Sequence, residues 1–480
     1  MFAKTFSTQF REKMLGQGLK PAFIDGWLGL YEKYCAGDTG VMPESTIEPV
    51  TELKELAGLK KGEQSLLAKT VVLKLNGGLG TGMGLDKAKS LLEVKDGNTF
   101  LDLIAKQILN LRKTFPVRFM LMNSFSTEAD TKEFMKKYPE IYNSWDDVSF
   151  MQNMSPKIVK DTKAPGSWPD KPSCEWCPPG HGDIYAALVV SGKLQQLLNE
   201  GYKYMFVSNS DNLGATLDMR LLGYLADSGA PMVMEVCVRG EDDKKGGHLA
   251  KVKGRGSLTL RESAQCPKED EKDFMDITKH KFFNTNNLWL NLEKLGAAMQ
   301  GGVLQLPLIV NEKKMDPSSK TNPGPKVIQL ETAMGAAIAA LPGSDAVVVP
   351  FDRFAPVKTC NQLFALRSDA YTLSSEFTPV LAPGAKKPIV DFDDTYKMVP
   401  DMETLTPNGM PSLKACKKLK VRGKVQFAKG VKVEGEVEIL NGGSDMATIA
   451  GNLKGSSDGL RVLSTPPTGG CFVFLSKIFG

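Results

Sequence analysis

A glycine-rich segment is the part of this sequence best suited to holding a phosphorylated ligand. The apolar run 71–75 leads directly into residues 76–84, which read NGGLGTGMG. Glycine permits sharp turns and close approach of the backbone to a ligand, and successive amide groups can surround phosphate oxygens. No window matches GxxxxGK followed by Ser or Thr, and none matches GxGxxG, which disfavours P-loop and dinucleotide folds. A flexible surface loop is the alternative.

Two further side chains could act with such a loop. Lys89 follows the glycines by a few residues, where its ammonium group could return onto bound phosphates, although a solvated lysine has the same local pattern. Asp211 comes after the apolar run 204–207 in a polar loop, where a carboxylate can bind a hard cation such as Mg²⁺. Taken alone, Asp211 would equally suit a turn.

Composition indicates an ordinary globular enzyme. Hydrophobic residues make up 42% and charged residues 24% of the 480 positions, enough for a large core, and this length predicts two or three structural units. A net charge of +5 suits a small anionic substrate but is too weak to indicate nucleic-acid binding. No run approaches the roughly 18 apolar residues that span a bilayer. We therefore expect neither nucleic acid nor membrane as a partner.

Eight scattered cysteines indicate reduced thiols and predict a cytoplasmic protein. Cys174 and Cys177, with His181 nearby, could supply three zinc ligands. A structural zinc site needs four ligands, and no second paired cluster exists. A loop without metal is the preferred interpretation.

Hydrophobic spacing predicts the elements that must position these residues. Residues 1 to about 60 are predicted to be helical, because Phe6, Phe10 and Met14 share one face. From Thr70 onward, β-branched runs alternate with amphipathic helices, which indicates a parallel sheet with crossover connections. The predicted strands are 71–75, 117–122, 204–207, 232–238 and 346–349, and the predicted helices are 100–115, 218–227 and 327–341.

The C-terminal region has a different repeat. Residues 379–411 are rich in proline and polar groups and predict an irregular connection with a domain boundary. Beyond it, apolar residues recur every six positions in two registers, at Val421, Phe427, Val433 and Ile439 and at Val425, Val431 and Val437. Hexad spacing favours a small β-helix, with ordinary antiparallel strands as the alternative.

The stretch from Lys74 through Lys89 resembles the signature of the UTP–glucose-1-phosphate uridylyltransferases. The resemblance continues in chain order through the motifs TFLD (99–102), FMLMNSF (119–125), PPGHGD (178–183), VSNSDN (207–212), FNTNN (283–287) and FAPVK (354–358). It implies an α/β fold with a Rossmann-like, mixed-sheet, GT-A-like nucleotidyltransferase core. The implied divisions are an N-terminal helical unit (1–60), the catalytic domain (61–385), and a linker with a C-terminal left-handed β-helix (386–480).

The resemblance also implies a reaction, the reversible transfer of UMP from UTP to glucose 1-phosphate with release of pyrophosphate and with Mg²⁺ as cofactor. The attacking sugar phosphate is already anionic near neutral pH, so alignment and positive charge matter more than a general base. By similarity Lys89 and Lys358 are catalytic and Asp211 is the metal ligand. The implied substrate contacts are Leu75, Asn76, Gly77, Gly78, Met122, Gln152, Gly180, His181, Asn209, Glu262, Asn286 and Phe354, with His248 as a further candidate near the sugar.

Some alternatives stay open at this point. Some relatives carry proline before the loop lysine, whereas Ala88 precedes Lys89 here, so the path of the loop is not fixed. A UDP-N-acetylhexosamine or broad-range UDP-sugar pyrophosphorylase would share the uridine motifs. A nucleotide-sugar-binding protein without turnover is a candidate from another class, because fold does not guarantee activity. We expect a monomer, with self-association left open.

Overall fold

The computed structural model describes the backbone of residues 2–300, 302–319, 321–455, 460–464 and 474–476. Its helices are α1 (Phe2–Gly16), α2 (Pro21–Cys35), α3 (Phe100–Arg112), α4 (Glu128–Met135), α5 (Trp145–Val148), α6 (Asp183–Val190), α7 (Lys193–Asn199), α8 (Met219–Ser228), α9 (Glu271–Phe274), α10 (Leu292–Ala298), α11 (Ala337–Ala340), α12 (Cys360–Arg367) and α13 (Val399–Glu403).

The strands up to residue 261 are β1 (Ile47–Pro49), β2 (Lys54–Glu55), β3 (Thr70–Asn76), β4 (Glu93–Lys95), β5 (Asn98–Thr99), β6 (Arg118–Asn123), β7 (Ser149–Met151), β8 (Ser155–Pro156), β9 (Ile158–Val159), β10 (Trp176–Cys177), β11 (Tyr204–Asn209), β12 (Met232–Val238), β13 (His248–Val252) and β14 (Leu258–Arg261). The later strands are β15 (Phe282–Asn291), β16 (Ile309–Lys314), β17 (Lys326–Glu331), β18 (Asp345–Val348), β19 (Tyr371–Leu373), β20 (Pro379–Leu381), β21 (Ile389–Phe392), β22 (Ser412–Arg422), β23 (Val425–Phe427), β24 (Lys432–Asn441), β25 (Ala447–Ile449), β26 (Asn452–Lys454), β27 (Leu460–Ser464) and β28 (Phe474–Ser476).

The central sheet has the strand order β2-β18-β12-β15-β11-β3-β6-β7. Strands β11, β3, β6 and β7 run parallel, while β15 lies between β11 and β12 and is antiparallel to both. The sheet is therefore mixed, which confirms the predicted mixed α/β class. An all-parallel sheet, expected from the strand–helix alternation alone, is wrong because β15 returns between two strands that the alternation would have made neighbours.

Burial on both faces explains why β3 forms where it does. All seven residues of β3 are buried, as expected for a strand covered on both sides by helices. Val72 packs in one hydrophobic cluster and Val71 and Leu73 in another, so alternate side chains enter opposite layers. Helix α3 then begins at a capping box in which Thr99 and Asp102 bond each other's backbone amides. These features fix where β3 delivers the glycine-rich segment.

Two of the predicted helical regions are wrong in part. The N-terminal helices end at Cys35, and β1 and β2 from the stretch up to residue 60 pair with β13 and β18 of the central sheet. Residues 326–331 form β17 between β16 and β9, and only α11 of the predicted helix 327–341 is helical apart from one 3₁₀ turn. The apolar residues of β17 fit strand spacing as well as helical spacing, and pairing with two strands decides between them.

Most strands of the C-terminal region pair in parallel, and β28 is antiparallel to β27. β21, β22, β24 and β27 pair in parallel, as do β23 and β25. All seven hexad residues are buried, with exposures of 2% or less, and Val421 faces Ile439 three hexads later on the neighbouring strand. Parallel pairing contradicts the antiparallel alternative for β22 and β24. The predicted irregular connection 379–411 is wrong in part, because it contains β20, β21 and α13.

The helices α1 and α2 form a separate aromatic layer against β17. Phe10 and Trp27 have ring centroids 4.9 Å apart, and Trp27 and Tyr31 stack at 5.7 Å. This layer packs on Ile328 and Leu330 of β17. Among the described residues, no helix is long and apolar enough to cross a membrane.

Candidate active site

The glycine-rich segment leaves β3 at Asn76 and folds back on itself. Gly80 and Gly84 have φ angles of +73° and +76°, which a residue with a Cβ adopts at a cost, and they flank a short 3₁₀ turn. The backbone N–H of Lys89 donates to the carbonyl of Gly78 (3.0 Å), so Ala88 does not prevent the loop from closing. The loop thus brings Lys89 back beside the glycines.

Lys89 and Asp211 form an ion pair at the end of the parallel strands. Lys89 Nζ lies 2.6 Å from Asp211 Oδ2, and both side chains are mostly buried, with exposures of 16% and 17%. Asp211 follows β11, which lies beside β3 in parallel register, so both residues reach the same edge of the sheet. The second carboxylate oxygen, Oδ1, is buried and has no hydrogen-bond partner in the described part of the protein.

The Lys358 segment packs directly on the Asp211 loop. The N–H of Val357 donates to the carbonyl of Asp211 (3.2 Å), and the N–H of Ala355 donates to Asn212 Oδ1 (3.0 Å). Lys358 Nζ stands 5.9 Å from the centroid of the Phe354 ring, and the side chain is exposed. No acidic side chain of the described residues forms an ion pair with it at 4.0 Å or closer. Its charge is therefore available to an anionic ligand.

A buried ion network supports both of these loops. Arg353 donates through Nε and Nη2 to Glu235 at 2.7 and 2.6 Å, a two-point contact between planar groups. Trp289 Nε1 and Asn287 Nδ2 also donate to Glu235, at 2.8 and 3.1 Å. The Arg353 carbonyl accepts from Asn212 and Asn287, and its Nη2 donates to the carbonyl of Thr216. The network fixes the Asp211 and Lys358 loops relative to β12 and β15.

The side chain of Lys74 connects β3 to the Asp211 loop. Its ammonium group is 2.7 Å from both Ser208 Oγ and the carbonyl of Ala215. Burial and, to a smaller extent, the nearby charge of Arg353 lower the pKa of Lys74 to about 7, and Glu235 offsets part of this decrease. The side chain faces the interior, so Lys74 supports the loop and does not contact a ligand.

Buried residues lie beneath the glycine-rich segment, and one half-buried side chain lies over it. Leu75 and Met122 are 8% and 1% exposed and belong to the hydrophobic core. Asn76 donates to Asn123 Oδ1 (2.7 Å) and Thr131 Oγ1 (2.9 Å), so its side chain ties β3 to its neighbours. Gln152 instead lies over Gly77, where a Cβ would come within 2.7 Å of its Oε1.

His181 is held as a neutral donor. The N–H of Met334 donates to His181 Nδ1 (3.0 Å), which places the imidazole proton on Nε2. Burial, with a smaller contribution from the charge of Lys358, lowers the pKa of His181 to about 4. Gly180 and Gly182 pack against Thr332 with no room for a Cβ, and Gly182 N–H donates to its carbonyl (2.8 Å).

Among the predicted sugar contacts, Glu262 and Phe354 lie near this centre. Burial raises the pKa of Glu262, and the positive charge of Lys358 offsets part of this increase. The two groups are therefore close enough to interact electrostatically. Phe354 packs edge-on against Phe283, with ring centroids 4.9 Å apart. Asn286 adopts φ +59° and exchanges hydrogen bonds with Asn284. Asn209 ends β11 beside Leu75, one strand from the glycine-rich segment.

His248 and the cysteine pair do not form ligand sites. His248 is fully buried and stacks on His280, with ring centroids 3.8 Å apart, so the predicted sugar contact of His248 is wrong. Cys177 is buried against Ser155, and within the described ranges no group of three or more His, Cys, Asp or Glu side chains could hold a metal ion. The predicted loop is wrong in part, because Cys174 lies in a 3₁₀ turn and Cys177 lies in β10, which pairs with β8.

Comparison with known proteins gives the family. A sequence model described as UTP–glucose-1-phosphate uridylyltransferase matches residues 27–434. The chain belongs to this family. A relative with that name from Saccharomyces cerevisiae is 40% identical over 387 residues, covering 78% of this chain and 74% of its own length. One from Solanum tuberosum is 39% identical, covering 86% of this chain and 87% of its own.

Similar solved structures agree with this family assignment. A UDP-glucose pyrophosphorylase variant from Leishmania major, in complex with UDP-glucose, is 49% identical and superposes with a TM-score of 0.89, covering 95% of this chain and 99% of its own. The Trypanosoma brucei protein, described as a UDP-glucose phosphorylase, is 48% identical with a TM-score of 0.87, covering 96% of this chain and all of its own.

In this uridylyltransferase-family chain, the structure brings Lys89, Asp211 and the Lys358 segment together, and sequence reasoning missed the side chains that hold them there. Glu235 and Arg353 were not singled out. A signal for Glu235 was available, since a lone carboxylate in the apolar strand 232–238 must find a buried partner. Arg353 had no comparable signal, because its neighbours Asp352 and Phe354 suit an exposed turn.

Proposed function

We propose that this chain catalyses the reversible transfer of UMP from UTP to glucose 1-phosphate, forming UDP-glucose and pyrophosphate. The observation that carries the proposal lies beside a glycine-rich turn, where the segment that ends at Lys358 packs on the loop of the Lys89–Asp211 ion pair. One carboxylate oxygen of Asp211 there has no partner among the described residues. Family membership and relatives solved with UDP-glucose support the same activity.

The proposed reaction is an attack by a phosphate oxygen of the sugar on the α-phosphorus of UTP, with pyrophosphate leaving. A phosphate monoester is already charged near neutral pH, so no side chain needs to remove a proton first. Lys358 is placed to neutralise charge that develops on the α-phosphoryl oxygens, and Lys89 to hold the β- and γ-phosphates and the leaving pyrophosphate. His181, neutral with its proton on Nε2, donates a hydrogen bond to bound substrate without acting as a base.

Asp211 is suited to a Mg²⁺ ion. Its Oδ1 is a buried carboxylate oxygen with no hydrogen-bond partner among the residues that the structure describes, and oxygen anions are the ligands that Mg²⁺ prefers. Mg²⁺ takes one or two carboxylates together with substrate phosphates, so a lone aspartate is enough. The ion would supply positive charge to the phosphates, and Asp211 would hold it against Lys89.

The remaining contacts divide between base and sugar. The backbone from Leu75 to Gly78 and the Gln152 amide would bind uracil, because an amide can donate to and accept from the edge of the base. Gly180, Asn209 and Asn286 would contact the sugar nucleotide. Glu262 would accept from glucose hydroxyls, and Phe354 would offer an apolar wall.

A pyrophosphate-release assay tests this function. With glucose 1-phosphate, we expect UTP to be turned over and other nucleoside triphosphates to be poor substrates. Galactose 1-phosphate and N-acetylglucosamine 1-phosphate should be slower than glucose 1-phosphate, and equal rates would instead identify a broad-range UDP-sugar pyrophosphorylase. UDP-glucose binding without pyrophosphate release under any of these conditions would identify a non-catalytic binding protein.

The architecture of the whole enzyme is part of the proposal. We place the boundary between the catalytic domain and the C-terminal unit near residue 386, just before β21, whose pairing lies with β22. Parallel coils of hexad spacing support a left-handed β-helix there, attached to a GT-A-like core. We also propose a cytoplasmic monomer, for which sedimentation analysis and localisation of a tagged chain are the direct tests.

A further inference from the structure

A buried carboxylate next to His181 has no role in the proposed reaction. Asp183 is the first residue of α6 and is 4% exposed. Its Oδ2 accepts from the backbone N–H of Asn153 (2.6 Å), and its Oδ1 accepts from Asn153 Nδ2 (2.9 Å). Across the described residues, its side chain has hydrogen bonds with Asn153 alone. Burial raises the pKa of Asp183 to about 7, even though the Asn153 hydrogen bonds offset part of the increase.

Asn153 directly follows Gln152, so this contact reaches the nucleotide side. The backbone N–H of Gln152 donates to the carbonyl of Asn123 (2.8 Å), which anchors the residue from one side. Asp183 holds the following peptide unit, through the N–H of Asn153, from the other side. Between these two anchors, the Gln152 amide is held against Gly77. A buried carboxylate that accepts two hydrogen bonds from one residue restricts the movement of that residue's backbone.

The same aspartate belongs to the segment that carries His181. Gly182 N–H donates to the Thr332 carbonyl and Thr332 N–H donates to the Pro179 carbonyl, so residues 179–183 form one fixed unit. Asp183 therefore joins the unit that would contact the sugar nucleotide to the residue that would contact the base. The two substrate-binding regions lie on different segments of the chain and are linked here through two hydrogen bonds.

We propose that Asp183 is a positioning residue that sets the preference for uracil, by holding Asn153 and thereby the orientation of the Gln152 amide. The proposal rests on the proposed function, in which Gln152 contacts the base. Uracil presents an acceptor at O4 and a donor at N3, whereas cytosine presents a donor at N4 and an acceptor at N3. An amide fixed in one orientation matches uracil and opposes cytosine, and a loosely held amide can turn to match either.

The test compares UTP with CTP as substrates of the full chain, at about pH 8, where the Asp183 carboxyl is ionised. Asp183→Asn replaces one acceptor oxygen by an NH₂ donor and removes the negative charge that strengthens both hydrogen bonds. We expect the ratio of kcat/KM for UTP over CTP to fall at least about tenfold. The exchange variant Asp183→Asn with Asn153→Asp restores an amide–carboxylate pair with the roles reversed and should recover most of the ratio.

Asp102→Asn is the matched control. Asp102 is also a buried aspartate, 6% exposed, and its hydrogen bonds cap α3 far from the base-reading residue in sequence. This variant should lose stability in thermal unfolding and leave the UTP-to-CTP ratio unchanged. If Asp183→Asn lowers kcat/KM for both nucleotides equally, Asp183 has only a structural role and the proposal is overturned.

Two further outcomes separate this proposal from the proposed function. No pyrophosphate release with any nucleotide would overturn the function itself. Release with UTP and CTP at equal rates in the unmodified chain would leave transferase activity standing and overturn the uracil preference that Asp183 is proposed to set. Should Asp183→Asn fail to fold, the exchange variant decides, because a ratio near that of the unmodified chain supports the pairing and a ratio near one opposes it.

Discussion

The two sides of the candidate active site are built by different means. On the nucleotide side, residues 76–89 are shaped by glycines and backbone hydrogen bonds, and the lysine that closes the loop is already paired with Asp211. On the transfer side, the segment ending at Lys358 is held by a buried ion network, and its lysine stands exposed beside Phe354.

This difference assigns different work to the two lysines. The charge of Lys89 is balanced by Asp211, so under the proposed function Lys89 would exchange one anionic partner for another on binding phosphates. The charge of Lys358 is unbalanced and already lowers the pKa of His181 and of Glu262. Lys358 is therefore expected to contribute more to the transition state, where new negative charge develops.

Removal of Lys358 should have the largest effect. We expect Lys358→Ala to lower kcat by roughly 100- to 1000-fold, comparable to the loss of one preorganised donor, while UTP binding persists. Steady-state kinetics and calorimetric UTP titration measure the two quantities. Lys387→Ala is a matched control, because Lys387 also lies over a phenylalanine, 5.2 Å from the Phe351 ring. Unchanged turnover in Lys358→Ala would refute the assigned role.

Breaking the Arg353–Glu235 ion pair, which holds the Lys358 segment, should mainly lower the free energy of unfolding. Arg353→Met leaves the Glu235 carboxylate buried without its cation, which costs about 3–5 kcal/mol of the free energy of unfolding. Equilibrium urea unfolding measures this quantity. Lys136→Ala, which breaks the exposed pair with Glu133, should change stability by less than about 1 kcal/mol. Equal effects in the two variants would show that the buried network does not determine this side of the site.

The nucleotide side should respond to a single methyl group. In Gly77→Ala the new Cβ would lie 2.7 Å from Gln152 Oε1 and displace the amide. We expect KM for UTP to rise about tenfold, equivalent to about 1.4 kcal/mol. Gly82→Ala in the same loop has no atom within 4 Å of the new Cβ and should have a smaller effect on KM. The reverse order would place the uracil contact elsewhere.

The smallest effect concerns the protonation of His181. Because burial and Lys358 both disfavour the imidazolium, with a pKa of about 4, His181 should stay neutral from about pH 5.5 to 8. Nitrogen NMR of the imidazole should report the Nε2–H form throughout. In Lys358→Ala the pKa should move upward, since the smaller of the two causes has been removed. Titration of His181 near pH 6.5 in the unmodified chain would contradict this environment.

Much of the fold could be predicted from local pattern. Strand β12 has the predicted bounds, and β3, β6, β11 and β18 lie within one or two residues of their predicted positions. The hexads of the C-terminal region predicted buried positions correctly. The failures have two causes. β1 and β2 have only three and two residues and carry little local signal, whereas the apolar spacing of β17 also fits a helix.

The sequence by itself determined the features that depend only on neighbouring residues. Glycines at 77–84 dictate an exposed backbone turn after β3, and the order of motifs identifies the family, because both are properties of neighbouring residues. Only the tertiary structure determined which distant residues form ion pairs. Lys89 meets Asp211 across 122 positions, and Arg353 meets Glu235 across 118. Such contacts follow from the order of strands in the sheet, and that order is set by the burial of the whole chain.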